Sequence, residues 1–282
     1  MKKQSILLLL SLLTSIVFIS CTQKTIKTDE KDFVKKYYLS NDTSKGNLSV
    51  DIEVEIPVKF ADAEVLKSIR ATLVSNLFGD EYVPHSNDSI VQLFCSDIAT
   101  EYKQNNQPLL EDLDSTNRYS FNNEHTLSGF SLLSDKKIYV YGIERYVDMG
   151  GAHGLETRNY YNFDLKTGKL ITENDIFVDG YQSGLTDLLK KRIIEDSKEM
   201  KEDTKNTEPI TSLEDTDFWT DSIKPNGNFY ITDEGINYVF NPYEIAPYYM
   251  GQTEIMIPYS RLNKLLKHKS IITYLVEKSA KL

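Results

Sequence analysis

The stretch NLSVDIEVEIPVK, residues 47–59, decides how this chain folds. Val50, Ile52, Val54, Ile56 and Val58 alternate with Asp51, Glu53, Glu55 and Lys59. A period of two sends successive side chains to opposite faces, so the spacing predicts a strand with one face in a core and one in water. The residues that follow supply cover for the core face. Asp62 reads as a helix N-cap, Val65, Leu66, Ile69, Leu73 and Leu77 recur at helical spacing, and Gly79 stops the helix. A second helix is predicted from Asn87 or Asp88, carrying Ile90, Leu93, Phe94, Ile98 and Tyr102 and ending before Asn105.

Past a polar segment that runs to Arg118, the pattern returns to β. Within Tyr119–Asp148, Phe130 and Leu132, then Ile138, Val140 and Ile143, flank Ser134-Asp135-Lys136-Lys137, which reads as a hairpin turn. A strand over Thr157–Leu165 is turned by Lys166-Thr167-Gly168-Lys169, and Thr172–Phe177 reads as one helical turn. A long helix over Tyr181–Glu202 stripes Leu185, Leu188, Leu189, Ile193 and Ile194 against a charged face. After an acidic loop over 203–217 come short strands at Phe229–Thr232, Gly235–Phe240 and Thr253–Ile257. Ser260–Lys267 reads as helix and Ile271–Val276 as helix or strand. Hairpins outnumber βαβ units, so the expected class is α+β: mostly antiparallel sheets with packed helices, in two parts.

Around the start of the strand and upstream of it, residues 22–47 are rich in Lys, Thr, Asp and Ser and read as a flexible tether. Before them, Lys2 and Lys3 precede an apolar run over Ile6–Ile19, and small Ser20 precedes Cys21. This is the layout of a lipoprotein signal peptide over residues 1–20, with lipid expected on Cys21. The run falls short of the roughly 20 residues that a membrane span needs. The expected address is therefore extracytoplasmic, on a membrane of the cell envelope. Cleavage before Cys21 leaves 262 residues with 30 Lys+Arg against 42 Asp+Glu, a formal charge of −12. Such a surface argues against nucleic acid, is expected to repel anionic lipid, and suits a cationic partner. Cys95 remains as a single thiol, so no internal disulfide forms, and Leu93-Phe94-Cys95 places it in packing.

No reaction is named by a motif. The sequence holds no HExxH, CxxC, GxSxG or GxxxxGK, and neither a cofactor nor a metal is called for. Two segments are dense in chemistry. Met149-Gly150-Gly151-Ala152-His153-Gly154 marks a backbone that needs positive φ or close approach, and His153 there serves either backbone groups or a ligand. Phe240-Asn241-Pro242-Tyr243-Glu244-Ile245-Ala246-Pro247-Tyr248-Tyr249-Met250-Gly251 is a rigid aromatic turn, fit for core capping or for recognition. His153, Tyr243, Glu244 and Tyr248 are the expected ligand-binding residues, in a groove between the two segments. Trp219, in the acidic loop, is expected to pack.

Residues 150–154, Tyr161–Lys169, Asn241–Tyr248 with Gly251, and Ile257-Pro258-Tyr259 follow one another in an order that resembles the domain of unknown function at the C-terminal end of RsiV-type anti-sigma factors. The region before it resembles the small domain that precedes it there and in PdaC-type peptidoglycan deacetylases. The expected division is a signal peptide over 1–20, a tether over 21–46, a PdaC-like domain over 47–147 and an RsiV-type domain over 148–282. The resemblance implies a binding module, more than an enzyme, for a lysozyme-like protein or peptidoglycan. The chain is expected to lack both a sigma-binding segment before the apolar run and a deacetylase domain after residue 282. Two other classes stay open: a cell-wall glycan hydrolase or deacetylase-related enzyme using His153, and a structural envelope lipoprotein.

Overall fold

The computed structural model describes residues 25–112, 121–203 and 209–281, so Cys21 and the leader lie outside the described residues. Five strands form the larger sheet in the order β1 (Lys27–Tyr38), β2 (Asn47–Lys59), β3 (Asn123–Ser134), β4 (Ile138–Asp148) and β5 (Leu155–Asp164). Among the described strands only β2 and β3 run parallel, and a parallel step needs a long crossover. It contains α1 (Ala63–Leu77) and α2 (Asn87–Asn106). Asp62 Oδ1 accepts the N–H groups of Glu64 and Val65 and so caps α1, as its position predicts. The smaller antiparallel sheet is β6 (Phe229–Ile231), β7 (Gly235–Phe240) and β8 (Thr253–Pro258). Helices α3 (Glu173–Ile176), α4 (Tyr181–Asp203), α5 (Tyr259–Leu262) and α6 (Thr273–Ser279) complete an α+β fold with mostly antiparallel sheets.

The described residues form two cores, and β4 serves both. Its alternation sends Tyr139, Tyr141 and Ile143 into a core with Ile52, Ile69, Leu73 and Phe94. The intervening Ile138 and Val140 enter a second core with Leu185, Leu189, Tyr238 and Ile257. A strand buried on both faces reads as a continuous apolar run, and Ile138–Ile143 is buried throughout. The five-stranded sheet thus crosses position 148, where β4 ends and β5 continues it. Cys95 is buried in the first core, and burial pushes its thiol up to about 12.

The structure corrects the tether expected over residues 21–46. Lys27–Tyr38 is β1, antiparallel to β2 along its length, with Phe33 and Tyr37 packed on the first core and Val34 fully open at 77% exposure. An edge strand carries charge to discourage further pairing, and that charge gives it the composition of a linker. Val58 also departs from the alternation. Thr28 pairs with Pro57 and Lys27 with Lys59, so Val58 is the extra residue of a bulge and turns outward. The helix expected over Ser260–Lys267 is only the short α5, and Ile271–Val276 resolves as the start of α6 rather than a strand.

Candidate functional site

Among the described residues, the edge of β5 that faces the smaller sheet pairs with no named strand and meets an isolated bridge from Phe163 to Leu170. Three asparagine side chains stand in for a strand. Asn241 Oδ1 accepts the N–H of Arg158 at 2.7 Å, and its Nδ2 donates to the same residue's carbonyl at 3.2 Å. Asn228 accepts the N–H of Tyr160 at 3.0 Å and donates to the Arg158 carbonyl at 2.7 Å. Asn162 donates to the Phe229 carbonyl at 2.7 Å and accepts the N–H of Ile231 at 3.0 Å. An amide carries donor and acceptor together, so it can continue a backbone ladder where geometry forbids a strand. The Asn241 pair pins the start of the 241–251 turn beside β5, next to the loop that joins β4 to β5.

That loop is held from its own side. Asp148 Oδ1 accepts the N–H of Gly150 at 2.8 Å, and Gly150 has φ of +76°. Gly154 lies under Tyr146, where a Cβ would come within 2.4 Å of the ring, so any larger residue would have to displace that ring. The glycines bring His153 to the turn. His153 stacks on Tyr248 with ring centroids 3.8 Å apart and planes at 21°. The Tyr248 hydroxyl donates to the Gly154 carbonyl at 2.7 Å, and the Tyr243 hydroxyl lies 3.4 Å from His153 Nε2. The Tyr243 and Tyr248 rings are 5.6 Å apart.

Tyr243 is the only non-glycine among the described residues with positive φ, at +69°. A side chain in this region costs about 1–3 kcal/mol and persists where the surroundings enforce it. Here the Glu244 N–H donates to the Asn241 carbonyl and closes the turn, and Tyr243 is left 53% exposed. Strain is being spent to present a large ring to solvent. Met149 and Leu155 stand open on either side of the histidine loop. Trp219, expected to pack, is 41% exposed, and its N–H donates to the Ile245 carbonyl. Tyr249 is exposed, and its bond to Asp217 holds the phenol above its usual range.

Three of the four expected residues therefore converge. The fourth, Glu244, is engaged in the turn itself, where Asn226 Nδ2 donates to its Oε2 at 2.9 Å and Asn241 donates to Oε1 at 3.5 Å. The hydrogen-bond partners of His153 are a carbonyl and a phenol, an arrangement that supplies no carboxylate to orient it as a general base. Acidic groups gather at this end of the sheet. Glu124 pairs opposite Asp148, and Glu156 opposite Tyr146. Burial, with Asp148 and Glu124 adding, raises the Tyr146 phenol. Elsewhere, Glu30, Asp32 and Glu53 set their carboxylates within 4.8 Å of one another, an exposed oxygen-only group. The asparagine seam had no signal in the sequence, because each asparagine reads locally as a turn residue.

Comparison with known proteins gives this arrangement its relatives. Residues 174–260 match the family described as "Protein of unknown function (DUF3298)". Over that segment the chain is similar to the DUF3298 proteins. It is 28% identical over 166 residues to the anti-sigma-V factor RsiV of Bacillus subtilis (strain 168), a match that covers 58% of this chain and 56% of RsiV. The chain thus spans little more than half the length of that relative. A crystal structure of a DUF3298 member from Bacteroides fragilis is 27% identical, covers 90% of this chain and 98% of its own, and superposes with a TM-score of 0.80. A DUF3298 protein from Pseudomonas aeruginosa, 16% identical over 86% of this chain and 95% of its own, shares the fold at a TM-score of 0.53. The expected kinship with the RsiV-type domain holds. Among the described residues no helix is long and apolar enough to cross a membrane.

Proposed function

We propose that the protein is an extracytoplasmic, lipid-anchored binding module whose exposed rings capture a basic protein of the lysozyme kind. The observation that carries this is the convergence of His153, Tyr243 and Tyr248 from segments 90 residues apart, with one ring held out on a strained backbone. Rigid aromatic side chains give contact area at low entropic cost and dominate protein interfaces. The carboxylates around them, Asp148, Glu124 and Glu156, favour a cationic partner and speed its encounter. The kinship with RsiV points to the same class of module. Lipid on Cys21 would keep it on the envelope, where such a partner arrives.

The test is binding of the chain from Thr25 onward to lysozyme, and separately to purified peptidoglycan, at low and physiological salt. The expected result is lysozyme binding that weakens as salt screens the carboxylates. Tyr248→Ala is expected to lose at least about tenfold in affinity while its thermal unfolding stays cooperative. Glycan binding without lysozyme binding would transfer the rings to sugar recognition. An unchanged affinity in folded Tyr248→Ala and Tyr243→Ala variants would remove the site.

A further inference from the structure

We propose that the end of the five-stranded sheet opposite the rings is a docking face for an anionic phospholipid surface, so that the membrane-bound protein holds its rings outward. The inference rests on the lipid anchor at Cys21 put forward above. Strand register fixes the geometry. Lys27 pairs with Lys59 at the entry end of β1, Ser134 pairs with Tyr139, and Ile138 pairs with Asp164, so these strand ends lie together. Asp148 and Leu155 lie at the other end of β4 and β5. The 11 residues of β4 separate the two ends by about 35 Å.

The chain enters at the first end. Because β1 begins at Lys27, only five residues lie between it and Cys21. Even fully extended, that chain reaches about 20 Å. A lipidated Cys21 therefore holds this end, and not the ringed one, against the bilayer. The surface presented suits that position. Lys27, Lys59, Lys136, Lys137, Lys166 and Lys169 are all exposed there, and none pairs with a carboxylate among the described residues. Lys137 lies 4.2 Å over the Tyr274 ring. Three apolar side chains stand among them: Val58, turned out by its bulge, Leu132 and Leu170, each 43–44% exposed.

The acids of this end are mostly engaged locally. Asp62 caps α1, Asp135 accepts the N–H groups of Lys137 and Ile138, and Asp164 accepts that of Lys166, while Glu64 is open. The net charge of the chain predicts repulsion from anionic lipid; its distribution does not. Lysines with apolar neighbours beside a lipid anchor are the combination that holds a protein to an anionic interface, where one chain and a basic patch act together.

The experiment uses the lipidated full chain in phosphatidylcholine vesicles with and without about a third phosphatidylglycerol. A membrane-impermeant amine-acetylating reagent is applied, and each lysine is read by mass spectrometry. On anionic vesicles the six lysines are expected to react several-fold more slowly than in detergent. Lys36 and Lys45, exposed at the ringed end, are expected to react at unchanged rates. In a Lys136→Gln, Lys137→Gln, Lys166→Gln, Lys169→Gln variant, Lys27 and Lys59 should lose their protection. Equal rates at both ends, or equal protection on neutral and anionic vesicles, would overturn the docking and leave the anchor standing. A mass showing unmodified Cys21 would overturn anchor and docking together, and would leave capture by the rings to its own assay.

Discussion

The two ends of the five-stranded sheet are built from the same strands and differ in almost every other respect. At one end β3–β4 and β5 close through tight turns in which Asp135 and Asp164 satisfy the backbone and lysines point to water. At the other, β4 and β5 are joined by the glycine loop, where a Cβ on Gly154 would meet the Tyr146 ring, the Tyr248 hydroxyl is held by the Gly154 carbonyl, and Tyr243 is held out at positive φ. One end uses side chains to relieve the backbone. The other strains the backbone to aim side chains. The difference teaches where to look for recognition in this fold: at the end that spends stability, not at the end that secures it.

A matched pair of substitutions breaks the comparison most strongly. Asn241→Ala strips the Arg158 N–H of its acceptor, and Asp135→Ala strips Lys137 and Ile138 of theirs. Each is expected to lower unfolding stability by about 2–3 kcal/mol in denaturant titrations. Only Asn241→Ala is expected to weaken lysozyme binding, because only it releases the turn that carries the rings. Equal loss of affinity in both would erase the distinction between the ends.

A pH dependence comes next. His125 pairs opposite Val147 at the ringed end, and burial, with Arg145 adding, pushes it down to about 4. In the unfolded chain it titrates near 6.5. Between those values the unfolded state binds a proton that the native state refuses. Stability is therefore full above about pH 6.5 and falls by about 3 kcal/mol as pH drops toward 4. His125→Phe, which keeps a ring against Phe94, should flatten that part of the profile. If the slope persists in the variant, its source lies elsewhere.

The smallest effect has the opposite sign. Tyr243→Gly relieves a positive φ, so thermal denaturation should show a protein as stable as the parent or up to about 1 kcal/mol more stable. Its binding should be lost. A stabilised protein that still binds would separate the strain from recognition.

Much of the first core was legible, and the reasons are physical. Ile52, Val54 and Ile56 alternate because one face of β2 is wet, and Asp62 caps because four N–H groups at a helix start lack partners. Hidden parts failed for equally physical reasons. β1 reads as linker because its outer edge must stay charged, and the Val58 bulge depends on the register of a partner strand. The site was half visible. Glycines beside His153 and tyrosines beside prolines announced two special backbones. That they meet is decided by the Asn241–Arg158 pair, across 83 residues of sequence. Glu244, expected as a fourth contact, is oriented by the amides of Asn226 and Asn241, a pairing that the sequence does not announce.

Hydrogen exchange of the chain from Thr25 onward, with and without excess lysozyme, tests most directly whether recognition belongs to the ringed end. The expected result is slowed exchange over residues 149–155 and 242–251, with residues 134–137 and 166–170 unchanged. Slowing confined to the lysine-bearing turns, or spread evenly over the sheet with the two ring segments untouched, would contradict it.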